Sequence, residues 1–564
     1  MNTIDWLVLG GMLVFIVLYG TLKTRGAKNV ESFLKGGQQQ KWWMIGISIM
    51  ATQASAITFL STPGQAFEDG MRFIQFYFGL PLAMIIISVT MLPIYYKLKV
   101  YTAYEYLETR FDLKTRTLAA ILFLMLRGLS VGITLFAPSL VLSTILGWNI
   151  YFTTLLIGGL VIIYSVSGGN EAVSLTQRFQ MTLIMGGMVL AGVMAITLLP
   201  KDISFSNSVK VAGELGRLNI VTTNFSWSDR FNIWSGLFAS TFLFLSYFGT
   251  DQSQVARYLG GKSLSESRMG LIFNGLLKIP MQFLILFIGV LVFVFYQFNQ
   301  PPIFHNRVLL EEARVSNHDR LTSIENEFNQ NFKSKEQSVR LLSKGIHDKD
   351  EIKIKDAKII YQQSKLKEDS LRNETRKIIA VHKNTEIKNV KDTDYIFLNF
   401  VLSSLPHGVI GLLLAVIFSA AMSSMASELN ALASTTTVDI YKRIFKPEAS
   451  AQHYLFSSKA ITVLWALIAM TFALLANFSE NLIQYVNIVG SLFYGTILGI
   501  FLVAFYLKNI KSNAVFWAAL IAEGVVLACY FYKYQEIAFL YYNIIGCVVV
   551  LILSVVFHLF TNRK

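Results

Sequence analysis

The sequence predicts an all-α integral membrane protein with about 13 transmembrane helices, and two observations carry that expectation. The first is composition: of 564 residues, 54% are hydrophobic and only 15% charged, where a soluble chain keeps roughly a quarter of its residues charged. The second is where the charge sits. Residues 299–394 hold 19 of the 49 Lys and Arg and 16 of the 35 Asp and Glu. What remains is a succession of apolar runs of about 20 residues, the length that crosses a hydrocarbon core of about 30 Å as a helix. Lipid offers backbone N–H and C=O groups no partner, so each run is a helix or part of a closed barrel. Unbroken apolarity, without the alternation of a barrel strand, selects the helix.

The apolar runs are residues 4–22, 42–62, 73–92, 118–145, 151–166, 173–199, 234–250, 271–298, 397–425, 460–476, 482–507, 514–532 and 537–559. Alternate loops between them differ in basic charge. With the N-terminus outside, inner loops and the C-terminal tail collect 22 Lys and Arg, among them Lys23, Arg25, Lys28, Lys35, Lys99, Arg116, Arg443, Arg563 and Lys564. Outer loops other than 299–394 carry six: Arg72, Lys201, Lys210, Arg217, Arg230 and Lys533. This bias orients the chain N-terminus out and C-terminus cytoplasmic in a cell (inner) membrane. The start, with Asp5 and no basic n-region, reads as a retained span rather than a cleaved signal. The expected organisation is spans one to eight in residues 1–298, a charged extracytoplasmic insertion at 299–394, and spans nine to thirteen in 395–564. Long loops translocate largely regardless of charge, so the insertion breaks no rule. It reads as a helical hairpin, with Gly345 at its turn, or as a disordered loop.

Several function classes fall away. The net charge of +14 resides in loops between spans and does not describe a nucleic-acid surface. Cys529 and Cys547, both in apolar runs, read as packing residues. Ala256, Gly260, Gly261, Lys262 and Ser263 approach a phosphate-loop pattern, but no strand precedes them. No His-Glu-x-x-His and no paired carboxylates lie within spans, so an enzyme is not expected.

Two spans carry chemistry. The second places Ser48, Ala51, Thr52, Gln53, Ala54, Ser55 and Thr58 where a lipid-facing helix has Leu and Ile. A broken helix there frees backbone groups to ligate an ion at mid-membrane; close helix packing is the plainer reading. In the ninth, Ser419, Ser423, Ser424, Ser427, Ser434 and Thr435 crowd one segment. Hydroxyls in that number are costly unless they face protein, water or an ion. A hard monovalent cation takes oxygen ligands, and adjacent serines with helix carbonyls supply them without fixed charge.

The stretch from Ala420 to Asn430, continuing through Ser434, Thr435, Val438, Asp439 and Tyr441, resembles the sodium:solute symporter family. That family includes sodium/glucose, sodium/proline, sodium/iodide and multivitamin transporters. Further matches follow in order: Leu92, Pro93, Ile94 and Tyr95; Tyr104 to Leu107 with Arg110 and Phe111; Gly168 and Gly169 with Ala172 and Val173; Gly249 to Gln252 with Arg257, Tyr258 and Leu259. The insertion is outside the shared core. The resemblance implies a LeuT-like core of two inverted five-helix repeats, spans two to six and seven to eleven. It implies a Na+ site of the Ala51, Ala54 and Ala420 carbonyls with the Ser423 and Ser424 hydroxyls. Some members add a second Na+ through an Asp in a Thr-Asp-x-x-Gln context. Here Gln177 follows Thr176, and one Na+ per cycle is expected.

The resemblance also implies substrate positions at Gln53, Thr58, Tyr247, Lys278 and Asn487. The glutamate that the sugar branch uses on the third span has no counterpart; Gln75 and Tyr77 fall nearest. Arg127 suits either balance of an organic anion or a structural pair with Glu428. The expected function is Na+-coupled import of a small organic solute by alternating access, sugar or polyol first, with a small carboxylate or other anion as the alternative. A channel and a non-transporting solute sensor are the other classes. The expected partners are solute, Na+ and lipid, with a monomer as the working unit.

Overall fold

A computed structural model describes residues 1–24, 40–98, 100–475 and 480–562. Arg25, Lys28, Lys35, Lys99, Arg563 and Lys564 of the orientation count, and Ala476 at the end of the tenth run, lie outside them. Every named element is helical, and the only bridge among the described residues is an isolated one, Gln40 to Gly261. Nine helical stretches among those residues are long and apolar enough to cross a membrane, so the expected thirteen do not appear as thirteen equal spans. The nine carry the third, fourth, sixth and eighth to thirteenth runs. The first, fifth and seventh appear as shorter apolar helices, Thr3–Ile16, Ile150–Val166 and Ser235–Gly249.

The second run is divided. Helix Trp42–Gln53 stops, and helix Ala56–Asp69 restarts after two non-helical residues. Ala54 has ψ 73° and Ser55 is extended at ψ 173°. No Pro or Gly causes this. The break falls among Thr52, Gln53 and Ser55, and Ser is a residue type that favours helix starts over interiors.

The fifth and sixth runs share one helical assignment, Ile150–Thr197. Yet the Tyr164 hydroxyl and Thr176 Oγ1 lie 2.6 Å apart, whereas twelve residues of straight helix rise about 18 Å. The helix therefore bends sharply between them. The ninth run begins differently from expectation. Helix Ile396–Ser404 ends, Leu405 is extended ahead of Pro406, and Gly408 at φ 86° leads into helix Val409–Thr435. A residue before proline is pushed out of the helical region, and φ 86° is a conformation that favours glycine. The hydroxyl-rich block lies wholly in the second of these helices.

That serine helix is buried on nearly every side from Ile410 to Thr435, the condition of a core helix. It packs on the first helix, on both halves of the second, and on the fourth, sixth and tenth. Asp5 Oδ1 accepts the Gly408 N–H at 2.6 Å, so the N-terminal helix supplies a cap that the serine helix cannot supply itself.

Residues 307–382 form two antiparallel helices, Arg307–Asp348 and Glu351–His382. The turn falls at Lys349 (φ 57°), not at Gly345, which stays helical and accepts the Lys349 and Asp350 N–H groups. A buried ion cluster holds the pair together. Lys335 Nζ reaches Glu368 Oε2 at 2.7 Å and Arg372 Nε reaches Glu368 Oε1 at 3.1 Å. Burial alone would raise the Glu368 carboxyl, but Lys335 and Arg372 hold it well below the usual range. The hairpin lies on the membrane-spanning body through Arg340 to Asp202 (2.8 Å), Asn207 to Ser343 Oγ (2.6 Å) and Lys358 to Glu214 (3.0 Å). At its base, Thr393 Oγ1 donates to Glu68 Oε1 at 2.6 Å.

Gly64, on the second half of the divided span, lets this base approach: a Cβ there would overlap the Thr393 carbonyl. Gly64→Val should therefore destabilise the protein by about 1–3 kcal/mol, read as a lowered melting temperature of the detergent-solubilised chain. Gly186→Ala, where a Cβ meets nothing within 4 Å, should stay within about 0.5 kcal/mol.

Candidate functional site

The first break changes the backbone bonding in a specific way. The Ser55 N–H, which in a continuous helix would bond the Ala51 carbonyl, instead donates to Gln53 O at 3.0 Å. The Thr58 N–H turns to Ser55 O at 3.0 Å and not to Ala54 O. The Ala51 and Ala54 carbonyls thus lose their helical donors while both residues are buried. A buried carbonyl without a donor costs free energy unless another partner meets it.

The serine helix runs alongside. Thr52 Oγ1 lies 3.4 Å from Ser427 Oγ, one turn from Ser423, and Ser427 Oγ donates to the Ser423 carbonyl at 2.9 Å. Ser424 Oγ donates to the Ala420 carbonyl at 3.0 Å, which leaves its lone pairs free to accept. Ser423 Oγ is fully buried with no partner. The five positions named from the sequence therefore lie on two segments packed against each other. Gln177 joins them: its amide donates to Ser427 Oγ (3.0 Å) and Thr52 Oγ1 (3.2 Å) and accepts from Ser48 Oγ at 2.5 Å. A neutral amide ties the second, sixth and ninth spans where a carboxylate would add charge.

A second break opens the seventh span. Helix Ser240–Gly249 ends and Gln252–Leu259 restarts, with Asp251 as the cap accepting the Ser253 N–H at 2.9 Å. Here the freed carbonyls are covered. The Tyr95 hydroxyl donates to Gly249 O at 2.8 Å and the Tyr104 hydroxyl to Thr250 O at 3.0 Å. The first break is open to a cation; the second is sealed by phenols.

Beside the first break lies a cavity. Its wall includes Thr52, Gln53, Ser55 and Thr58 from the first break, and Tyr247 with Phe244 from the seventh span. Asn487, Gly490 and Tyr494 come from the eleventh span, Tyr77 from the third, and Arg127 and Glu428 from the fourth and ninth. Four of the five substrate positions named from the sequence, Gln53, Thr58, Tyr247 and Asn487, share this wall. Gln53 Oε1 has no partner. Lys278 does not line it. That ammonium is fully buried, unpartnered, and 5.8 Å from the centre of the Tyr77 ring, which itself faces the cavity. Gln75 is committed elsewhere, to Phe231 O at 2.8 Å and the Thr222 N–H at 3.0 Å.

Arg127 is held more firmly than a single pair with Glu428. Its Nη1 reaches Glu428 Oε1 at 2.9 Å, its Nη2 pairs with Asp251 Oδ2 and also reaches the Tyr494 hydroxyl at 2.7 Å. The Tyr494 hydroxyl donates in turn to Asp251 Oδ2 at 2.9 Å, and the guanidinium carbon lies 5.4 Å over the Tyr247 ring. The Arg127 Nε–H and Glu428 Oε2 keep no partner. Asp251 went unassigned in the sequence, although the Gly249–Gln252 match contains it; a carboxylate just after a helix end, ahead of Gln252 and Ser253, was the available signal of a cap.

Residues 33–320 and 374–522 match the model of the family described as SSF, the sodium:solute symporter family. A sodium/sialic acid symporter of Proteus mirabilis (strain HI4320) is 25% identical over 557 residues, 97% of this chain and 93% of its own length. Sodium-coupled monocarboxylate transporter 1 of Homo sapiens is 30% identical over 273 residues, 48% of this chain and 44% of its own length. The sodium/iodide cotransporter of Homo sapiens is 28% identical over 285 residues, 50% of this chain and 43% of its own. The chain thus spans less than half of these two human relatives. Among solved structures, a Na+-coupled sialic acid symporter in a substrate-bound outward-open state superposes with a TM-score of 0.74. The likeness covers 98% of this chain and 97% of that one at 24% identity, and it establishes the shared fold.

The charge cluster predicts a large stability effect. Arg127→Met leaves Asp251 and Glu428 buried without a counter-charge and should cost about 3–5 kcal/mol, seen as a fall in melting temperature and yield. Adding Asp251→Asn and Glu428→Gln should recover most of that loss.

Proposed function

Because the chain belongs to the sodium:solute symporter family, we propose that it imports one small hydroxylated organic acid with one Na+ by alternating access. It is a multi-pass membrane protein, and Na+ is its co-transported ion. The observation that carries the reading is a cavity walled in part by the first helix break, which leaves buried carbonyls without donors beside a buried serine pair.

The ion is held by the carbonyls of Ala51, Ala54 and Ala420 and the hydroxyls of Ser423 and Ser424. Five neutral oxygens suit a hard cation that has to leave again on each cycle. The Gln177 amide, spent on Ser48, Thr52 and Ser427, supports one ion and not two.

Gln53, Thr58, Tyr247 and Asn487 offer the hydroxyl and amide contacts that a hydroxylated solute needs. A neutral sugar or polyol accounts for these but leaves the unpartnered Arg127 Nε–H at the cavity wall unused. A carboxylate uses it. The relatives' names agree in kind, since sialic acid, monocarboxylates and iodide are all anions, and sialic acid joins the sugar and the acid in one molecule. Lys278, behind the Tyr77 ring, is left out of the solute site.

The charge pattern of the loops supports an outward N-terminus and hairpin and a cytoplasmic C-terminus, and the working unit in this reading is a monomer. Coupling then has a definite electrical signature. One Na+ with one carboxylate moves no net charge, so the membrane potential, about 2.3 kcal/mol per charge per 100 mV, adds nothing. A tenfold Na+ gradient, about 1.4 kcal/mol, holds about a tenfold solute gradient.

In proteoliposomes, Na+-driven uptake of sialic acid should be insensitive to an imposed K+ diffusion potential. Uptake confined to neutral polyols, rising with a negative interior, would contradict the solute class. Ser424→Ala should raise the Na+ concentration for half-maximal uptake by about tenfold, the scale of one lost hydrogen bond to a charge, at unaltered protein level. Unchanged Na+ affinity would overturn the ion site.

A further inference from the structure

The family match omits residues 321–373, and those residues build most of the hairpin. The hairpin roofs a second cavity of about 550 Å3 over the outer ends of the spans, a size within the range of small-molecule sites. Hairpin residues Lys365, Arg372 and Arg376 form one wall, and Phe67, Glu68 and Phe293 of the body form another. Five Lys and Arg line it against four Asp and Glu. Most of that charge is already paired, as in the Lys335, Glu368 and Arg372 cluster.

Three N–H donors on this lining are not. Arg217 Nε, Arg376 Nε and His305 Nε2 are buried with no partner. Arg376 is otherwise lightly engaged, reaching Asp392 Oδ1 and Asn373 Oδ1 at 3.4 Å each. Asn399 Nδ2 lies 3.3 Å from His305 Nδ1 and can only donate there, which puts the ring proton on Nε2 as the free donor. Burial pushes the imidazole down to about 3, so this donor is neutral at physiological pH. Buried donors without partners are rare in folded proteins and call for an acceptor.

The cavity also leads toward the central one. A smaller neighbouring cavity of about 300 Å3 shares Glu68, Asn373 and Arg376 and extends to Asn481 and Gln484. Those two amides hold Gln65 Oε1 at 2.6 and 2.7 Å. Gln65 stands on the helix that carries both Thr58 of the central cavity and Glu68 of the outer one, ten residues and about 15 Å apart along the axis. An amide latch separates the two chambers.

We infer that the hairpin-roofed cavity is an antechamber that binds the carboxylate of an organic acid through Arg217, Arg376 and His305 before the solute passes the Gln65 latch. The solute class rests on the function proposed above; the site itself rests on the donors and their geometry. It needs no Na+, because none of the sodium-site residues lines it.

The test is equilibrium binding of labelled sialic acid to the purified full-length chain, in Na+ and with K+ replacing it. Two equivalents in Na+ and one in K+ are expected. Arg376→Gln should weaken the K+-resistant equivalent by about tenfold while the Na+-dependent equivalent, still present, reports an intact fold. Asn487→Ala should do the reverse. A single equivalent that vanishes in K+ overturns the antechamber and leaves the central site standing. One equivalent bound alike in K+ and in Na+, and lost with Arg376→Gln, upholds the antechamber and sinks the central solute site. Inorganic phosphate displacing the K+-resistant equivalent as well as sialic acid does would overturn the carboxylate assignment.

Discussion

The rest of the structure depends on two main-chain oxygens that have lost their helical donors inside a membrane. At the Ala54–Ser55 break, the Ser55 and Thr58 N–H groups turn to Gln53 and Ser55, and the Ala51 and Ala54 carbonyls are left to another partner. Lipid cannot be that partner. The fold answers by packing the break against a helix buried on nearly every side whose Ser423 hydroxyl is itself unpartnered. A Na+ held between them, as proposed above, would satisfy both sides at once. The contrast with the seventh span makes the point: the same kind of break there is closed by Tyr95 and Tyr104, so a break alone does not make an ion site.

Polar contacts close the body on either side of these oxygens. On the hairpin side, Gln65 is held by Asn481 and Gln484, and Arg230 pairs with Glu480 at 2.8 Å. On the opposite side, Arg116 pairs with Asp439 and with Glu108 at 2.7 Å each, and Thr102 Oγ1 donates to Asp439 at 2.7 Å. Arg127 lies between these layers and ties the fourth, seventh, ninth and eleventh spans through Glu428, Asp251 and Tyr494. An ion that draws the first break toward the serine helix acts on elements that both layers share, which is the differential contact that a population shift requires. The LeuT-like inverted repeats, each opening with a broken helix, give the shift its two-fold form.

Much of this was legible in the sequence, for physical reasons that can be named. Apolar runs must be helices in lipid, so the spans were readable. Hydroxyls massed at Ser423, Ser424 and Ser427 are too costly in a lipid-facing helix to be idle. The second span's break was readable from Thr52, Gln53 and Ser55. What failed were features set by tertiary contact. The division of the ninth run at Pro406 and Gly408 does not alter hydropathy, so a window of apolarity passes over it. Lys278 reads as a solute contact because a lone charge in a span demands a role; its ammonium lies 5.8 Å from the Tyr77 ring centre and does not line the cavity. Asp251 escaped because its partner Arg127 is 124 residues away. Glu428 was legible as a partner of Arg127; the second carboxylate was not.

One measurement bears on the central claim more directly than any other: density maps of the protein resolved well enough to see ions, prepared in parallel with Na+ and with choline replacing it. The account requires a discrete peak in Na+ alone, ringed by the main-chain oxygens at positions 51, 54 and 420 and the side-chain oxygens at 423 and 424. A peak lodged instead between Asp251 and Glu428, or a cage holding the same ordered solvent in both salts, would contradict it.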